Sequence, residues 1–93
     1  MAKASARHIL VPLEEECQTL KKMIEGGEDF AVVAQQYSKC PSGRQGGALG
    51  EFTPGQMVRE FDEVVFSGEV GKVLGPVKTQ FGYHLIEITG RTD

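Results

Sequence analysis

Apolar positions along this chain alternate with polar ones, then fall into helical spacing, and finally return to alternation. Residues 6–11, Ala-Arg-His-Ile-Leu-Val, predict a first strand. A period of two puts His8 and Leu10 on one face and Ile9 and Val11 on the other. Pro12 ends the strand and suits the entry to a helix. Leu13, Cys17, Leu20 and Ile24 then recur at i, i+4, i+7 and i+11, one apolar stripe on a helix. Glu14, Glu15 and Glu16 open that helix and Lys21 and Lys22 come later, as the helix dipole favours. Gly26-Gly27 stops it. Asp29 predicts the cap of a second helix, ending near Ser38, with Phe30, Val33, Ala34 and Tyr37 on its buried face. Cys40-Pro41-Ser42-Gly43 reads as a turn, and residues 44–47 as a flexible or special-geometry loop.

Residues 48–52 read as a short strand, weakened by Gly50. After the turn Thr53-Pro54-Gly55, a third helix is predicted over 56–66, with Met57, Phe61 and Val64 on one side and Val58 and Val65 beside them. Gly68 terminates it. A strand is expected from Pro76 to Thr79, a hairpin tip at Gln80-Phe81-Gly82, and a last strand over 83–89 with His84, Ile86 and Ile88 on one face. The order strand–helix–helix–strand–helix–strand–strand predicts an α+β domain with a small antiparallel sheet, and residues 1–93 form one domain.

Composition narrows the function. A formal net charge of −3 supplies no basic field, so no nucleic-acid partner is expected. No apolar run approaches a membrane span, and the N-terminus has no signal-peptide core. With two cysteines, Cys17 and Cys40, these features predict a cytoplasmic protein with free thiols and no membrane partner. No long apolar surface run suggests an interface, so a monomer is expected.

The only two histidines, His8 and His84, both fall in predicted strands and can share a sheet face. The residues alone leave three readings open. The two can be core histidines bonded to each other or to the backbone. With Cys17 and Cys40 they can form a metal site, although no close-paired ligand spacing is present. Or Cys40 can be a thiol nucleophile with a histidine base, although no oxyanion hole is identifiable. Met57, Phe61 and Phe81 read first as ordinary core. Gly46-Gly47 is not a phosphate loop, because no Gly-Lys-Ser/Thr follows.

Read as ordered blocks, the chain resembles the parvulins, closest to the small single-domain bacterial ones. His8-Ile9-Leu10-Val11 resembles their opening strand. Cys40-Pro41-Ser42-Gly43 followed by residues 46–52 resembles the central block, and Gly55-Gln56-Met57-Val58 with Phe61, Val65 and Phe66 the substrate-side helix. Residues 75–86 resemble the closing hairpin. The resemblance implies a parvulin-like fold of the FKBP-like superfold, a four-stranded antiparallel sheet surrounded by helices. It implies peptidyl-prolyl cis/trans isomerisation of X-Pro bonds in unfolded or flexible polypeptides, assisting folding, with no cofactor and no metal. It assigns His8, Cys40, Thr79 and His84 to the catalytic network, and Leu49, Phe52, Met57, Phe61 and Phe81 to substrate binding. Phosphate-directed parvulins carry a basic loop after the first strand. Here Pro12-Leu13-Glu14-Glu15-Glu16 is acidic, so no phosphate requirement is expected, and Phe81 favours an apolar residue before proline. The other reading of the same cleft is a chaperone-like module that binds proline-containing or apolar segments with little turnover.

Overall fold

The computed structural model of the chain describes residues 2–92. Four strands, β1 (Lys3–Val11), β2 (Ala48–Phe52), β3 (Val73–Thr79) and β4 (Gly82–Thr92), form one sheet. Its order is β2-β1-β4-β3 and every pairing is antiparallel. The first and last strands are thus the central neighbours, and both need burial on two faces. Their sequences provide it. Ile9, Val11 and Leu85 pack on one face against Cys17 and Leu20 of helix α1 (Glu14–Glu25) and Phe30, Val33 and Ala34 of helix α2 (Phe30–Tyr37). Ala4, Ala6 and Ile86 pack on the other face with Phe52 and with Phe61 and Val65 of helix α3 (Arg59–Ser67). The alternation predicted for β1 therefore separates two cores, one on each side of the sheet.

Several local expectations shift. Leu13 is not part of the α1 stripe: it is the extended N-cap residue and 60% exposed. Tyr37, expected on the buried face of α2, is the last residue of that helix and 41% exposed. Asp29 caps α2 as expected, its Oδ1 accepting from the Ala31 amide at 2.9 Å. Residues 41–45 are not a loose loop but a 3₁₀ helix, Pro41–Gln45, with proline in its first turn. Helix α3 begins at Arg59, three residues later than the spacing of Met57 predicts. Strand β3 begins at Val73, before Pro76, because β3 is an edge strand. There a proline that donates no ladder bond is tolerated, at the register shift between Leu74 and Val77. Strand β4 runs on to Thr92, pairing with Lys3, Ala4 and Ser5 beyond an extra residue, Thr89, that bulges the ladder.

Across the β1–β4 pair, Arg7 faces Glu87 and forms an ion pair with it. The Arg7 guanidinium also lies 4.7 Å from the centroid of the Phe30 ring, which ties the sheet to α2. Leu85 has no exposed surface and sits at the centre of the larger core. Leu85→Ala is expected to cost about 3 kcal/mol of unfolding free energy, from lost burial and the cavity left behind. Urea unfolding measures this, and a cost below about 1 kcal/mol would contradict the packing described.

Candidate active site

The site grows from the register of the central strands. His8 pairs with Ile86, and His84 with Leu10, so the two imidazoles are diagonal neighbours on the α3 face of the sheet. Their Nδ1 atoms lie 3.0 Å apart, with ring centroids 5.2 Å apart and planes 15° from parallel. Phe61 of α3 meets both rings edge to face, at 5.6 and 5.9 Å between centroids. His8 is 6% exposed and His84 4%, so each ring nitrogen needs a partner inside the protein.

Those partners form one continuous chain. Thr79 Oγ1 lies 2.8 Å from His84 Nε2 and accepts from the Phe81 amide at 3.1 Å. At the other end His8 Nε2 lies 3.1 Å from Ser42 Oγ, which donates to Cys40 Sγ at 3.2 Å. The protons have one arrangement that gives every donor an acceptor. Ser42 donates to the sulfur, so it accepts from His8 Nε2–H, and His8 Nδ1 is left bare. His84 Nδ1–H then donates to His8 Nδ1, and His84 Nε2 accepts from the Thr79 hydroxyl. Reversing the chain would leave the Thr79 hydroxyl hydrogen without an acceptor in the network. Both histidines are therefore neutral, with opposite tautomers.

Burial favours the same state. It depresses the His8 pKa to about 4, with the neighbouring charge of His84 a second cause, and it lowers that of His84 as well. Cys17 is separate from this chemistry. It lies on the opposite face of the sheet without exposed surface, and burial raises its pKa to about 11. It cannot join His8, His84 and Cys40 around one ion, and no group of three metal-ligating side chains exists among the described residues.

Strand β2 pairs with β1 only from Ala4 to Arg7. Beyond Arg7 the edge of β1 is covered by residues 38–47. Ser38 Oγ accepts from the Leu10 amide at 3.1 Å, Lys39 N donates to Leu10 O at 2.7 Å, and His8 N donates to Gly47 O at 3.0 Å. This zip is what carries Cys40 and Ser42 over His8. Gly47 has a φ of +85°, and a Cβ there would stand 2.3 Å from His8 O, so only glycine permits the approach.

Above the imidazoles opens a cavity of about 370 Å³. His8 and His84 line it together with Leu49, Met57 and Phe61, and Cys40, Pro41 and Phe81 complete the lining. Phe81, at the tip of the β3–β4 hairpin, is 62% exposed. Thr79 lies in the hydrogen-bond chain and not among the lining residues. Phe52, expected beside the cleft, is instead core: it stacks edgewise on Phe61 and Phe66, behind the lining residues. Sequence reasoning missed Ser42, the link between His8 and Cys40, and the lining residues Leu10, Lys39 and Pro41. Ser42 lies within the Cys-Pro-Ser-Gly block, two positions after Cys40, and that spacing was its only signal.

Fold and site together are those of a parvulin-type domain. Residues 6–90 match the family described as "Rotamase: PPIC-type PPIASE domain", and the chain belongs to that family. Among curated relatives it is 44% identical over 92 residues to Foldase protein PrsA 4 of Bacillus cereus, a match covering 98% of this chain and 33% of the relative. The chain thus spans about a third of the length of the curated relatives it matches. The crystal structure of the peptidylprolyl isomerase PrsA from Bacillus anthracis superposes with a TM-score of 0.95 at 36% identity, over 99% of this chain and 43% of that one. The solution structure of NmPin, the parvulin of Nitrosopumilus maritimus, gives 0.87 at 36% identity and covers 97% of this chain and 98% of that one.

The neutral histidine pair makes stability depend on pH. Unfolded, His8 takes up a proton near its ordinary 6.5, whereas folded it does so only near 4. Between those values the unfolded chain holds more protons, so the contribution is complete above the upper value and is lost as pH falls toward the lower. The full effect is on the order of 3 kcal/mol. Urea unfolding from pH 7 to 4 is expected to lose more stability in the wild type than in His8→Asn, and equal slopes would refute the buried neutral pair.

Proposed function

We propose that the cleft grips a proline ring and lets the preceding amide rotate without covalent chemistry. The observation that carries this reading is an apolar cavity of about 370 Å³ seated on a neutral, fully hydrogen-bonded histidine pair. Amide resonance opposes rotation by about 18–20 kcal/mol, so the uncatalysed X-Pro flip takes tens to hundreds of seconds. No bond breaks, so neither a nucleophile nor a cofactor is called for. In the twisted state the nitrogen lone pair is localised and the carbonyl oxygen carries less negative charge.

Leu49, Met57 and Phe61 hold the ring, which fixes one side of the rotating bond. The twisted amide is less dipolar than the planar one, so an apolar wall favours it. Lowering the barrier by about 5–7 kcal/mol corresponds to roughly 10⁴–10⁵-fold acceleration, within reach of positioning plus electrostatics. Cys40 acts as a hydrogen-bond acceptor that anchors Ser42, and through it His8.

The substrates in this reading are X-Pro bonds of unfolded or flexible polypeptides, in keeping with the foldase named among the relatives. Phe81 at the cleft lip suits an apolar residue before proline, and the acidic run Glu14-Glu15-Glu16 offers nothing to a phosphate there. The 93 residues act as one isomerase domain, monomeric and cytoplasmic, a location supported by the free thiols of Cys17 and Cys40. Among the described residues no helix is long and apolar enough to cross a membrane.

A protease-coupled assay on X-Pro peptides tests the reading. Wild type is expected to accelerate the cis-to-trans phase, with no gain when phosphoserine replaces a neutral residue before proline. Cys40→Asp keeps an acceptor for Ser42 and is expected to stay within about tenfold of wild-type kcat/KM, whereas Cys40→Ala loses more than that. Abolished activity in Cys40→Asp would favour a nucleophile, and binding without acceleration would reduce the domain to a holding module.

A further inference from the structure

Beside the proline cleft lies a second cavity, of about 420 Å³. It shares Lys39, Cys40 and Pro41 with the cleft, so the two adjoin along one short wall. Its own lining is different in kind. Gln35 of α2, Lys39 and Arg44 contribute two cationic side chains and an amide. Among the described residues neither Lys39 nor Arg44 forms an ion pair, although the chain as a whole carries a net charge of −3. The four ion pairs among the described residues involve other side chains, which leaves these two charges available to something outside the protein.

We propose that this second cavity is a subsite for an acidic side chain of the substrate, lying beyond the X-Pro pair itself. The proposal rests on the isomerase reading of the neighbouring cleft. An extended peptide advances about 3.3 Å per residue, so a chain whose proline ring occupies the cleft and which crosses the Cys40–Pro41 wall brings a side chain two or three residues before the proline, or one to three after it, over Lys39 and Arg44. A carboxylate there meets two cations and the Gln35 amide. The apolar cleft recognises the imino-acid ring, and the cationic cavity selects among proline-containing segments by their charge. Both cations are exposed, so the selection is modest and salt-sensitive, and it acts on kcat/KM through encounter and binding.

The experiment is a peptide series with one X-Pro bond, carrying Glu or Lys in turn at the second and third positions before proline and at the three positions after it. Isomerisation is followed by NMR exchange, which needs no coupling protease with charge preferences of its own. At one or more positions the wild type is expected to prefer Glu over Lys by about fivefold in kcat/KM at low salt, falling toward unity at 0.5 M salt. Arg44→Glu is expected to invert that ratio at the same position, and Lys39→Gln to shrink it. A role confined to offsetting the carbonyl ends of the adjacent helices would change the unfolding midpoint of these variants and leave the ratio alone. Absence of any charge preference in the wild type, or a preference that survives Arg44→Glu, overturns the subsite. Absence of acceleration of every peptide, neutral ones included, refutes the isomerase reading instead.

Discussion

One bond, from imidazole nitrogen to imidazole nitrogen, dictates much of the molecule. Two Nδ1 atoms at 3.0 Å share a single proton, so one ring donates and the other accepts, and burial together with the partners at the outer nitrogens favours the neutral form of both. That fixes what stands at the outer nitrogens: a hydroxyl that donates to His84 and a hydroxyl that accepts from His8. Thr79 and Ser42 fill these places, and no buried side-chain polar atom among the described residues is left without a partner. The topology follows the same demand. The two rings become diagonal neighbours only because the first and last strands of the chain pair at the centre of the sheet. A buried polar chain of this kind specifies register, since a slip of one residue in either strand would turn its imidazole into the opposite core and leave the other without its partner.

Much of this arrangement was legible in the sequence, for a reason tied to the central strands. Both faces of the central strands are covered, so their apolar residues run together, as in Ile9-Leu10-Val11 and Leu85-Ile86, and it is the period of two along each strand that puts His8 and His84 on a common face. The edges were less legible. The position of β3 in the sheet decides whether Pro76 can lie within a strand, and sheet order is not written in local spacing. Leu13 fits a helical stripe by count, but it precedes the first hydrogen-bonded turn and points into solvent. Phe52 was assigned to the cleft by resemblance. Whether an aromatic ring at the end of β2 faces the cavity or backs its wall depends on where α3 docks, and here Phe61 stands between them.

Ser42 shows the limit most clearly. Its role needs three things at once: a 3₁₀ turn after Pro41, a segment zipped along the free edge of β1, and a glycine at 47 able to approach His8. Each is a tertiary fact, and the serine itself is unremarkable in a turn-rich stretch. The same segment carries Lys39 and Arg44 outward while it carries Cys40 and Ser42 inward. One stretch of backbone thus supports both the polar base of the cleft and the charged cavity beside it.

The neutrality of the base has a consequence for catalysis that geometry alone would not reveal. A planar X-Pro amide holds more negative charge on its carbonyl oxygen than a twisted one. A cation beneath the rotating bond would stabilise the planar ground state and raise the barrier it is meant to lower. Burial reduces that hazard by lowering the pKa of both rings, that of His8 to about 4, which favours the uncharged pair. The cationic residues Lys39 and Arg44 stand instead on the flanking segment, where in the proposed reading their field reaches the peptide beside the rotating bond. In the proposed reading the base beneath the amide is uncharged, while Lys39 and Arg44 stand on the wall beside it, and this division suits a catalyst that works by shape and field without making a bond.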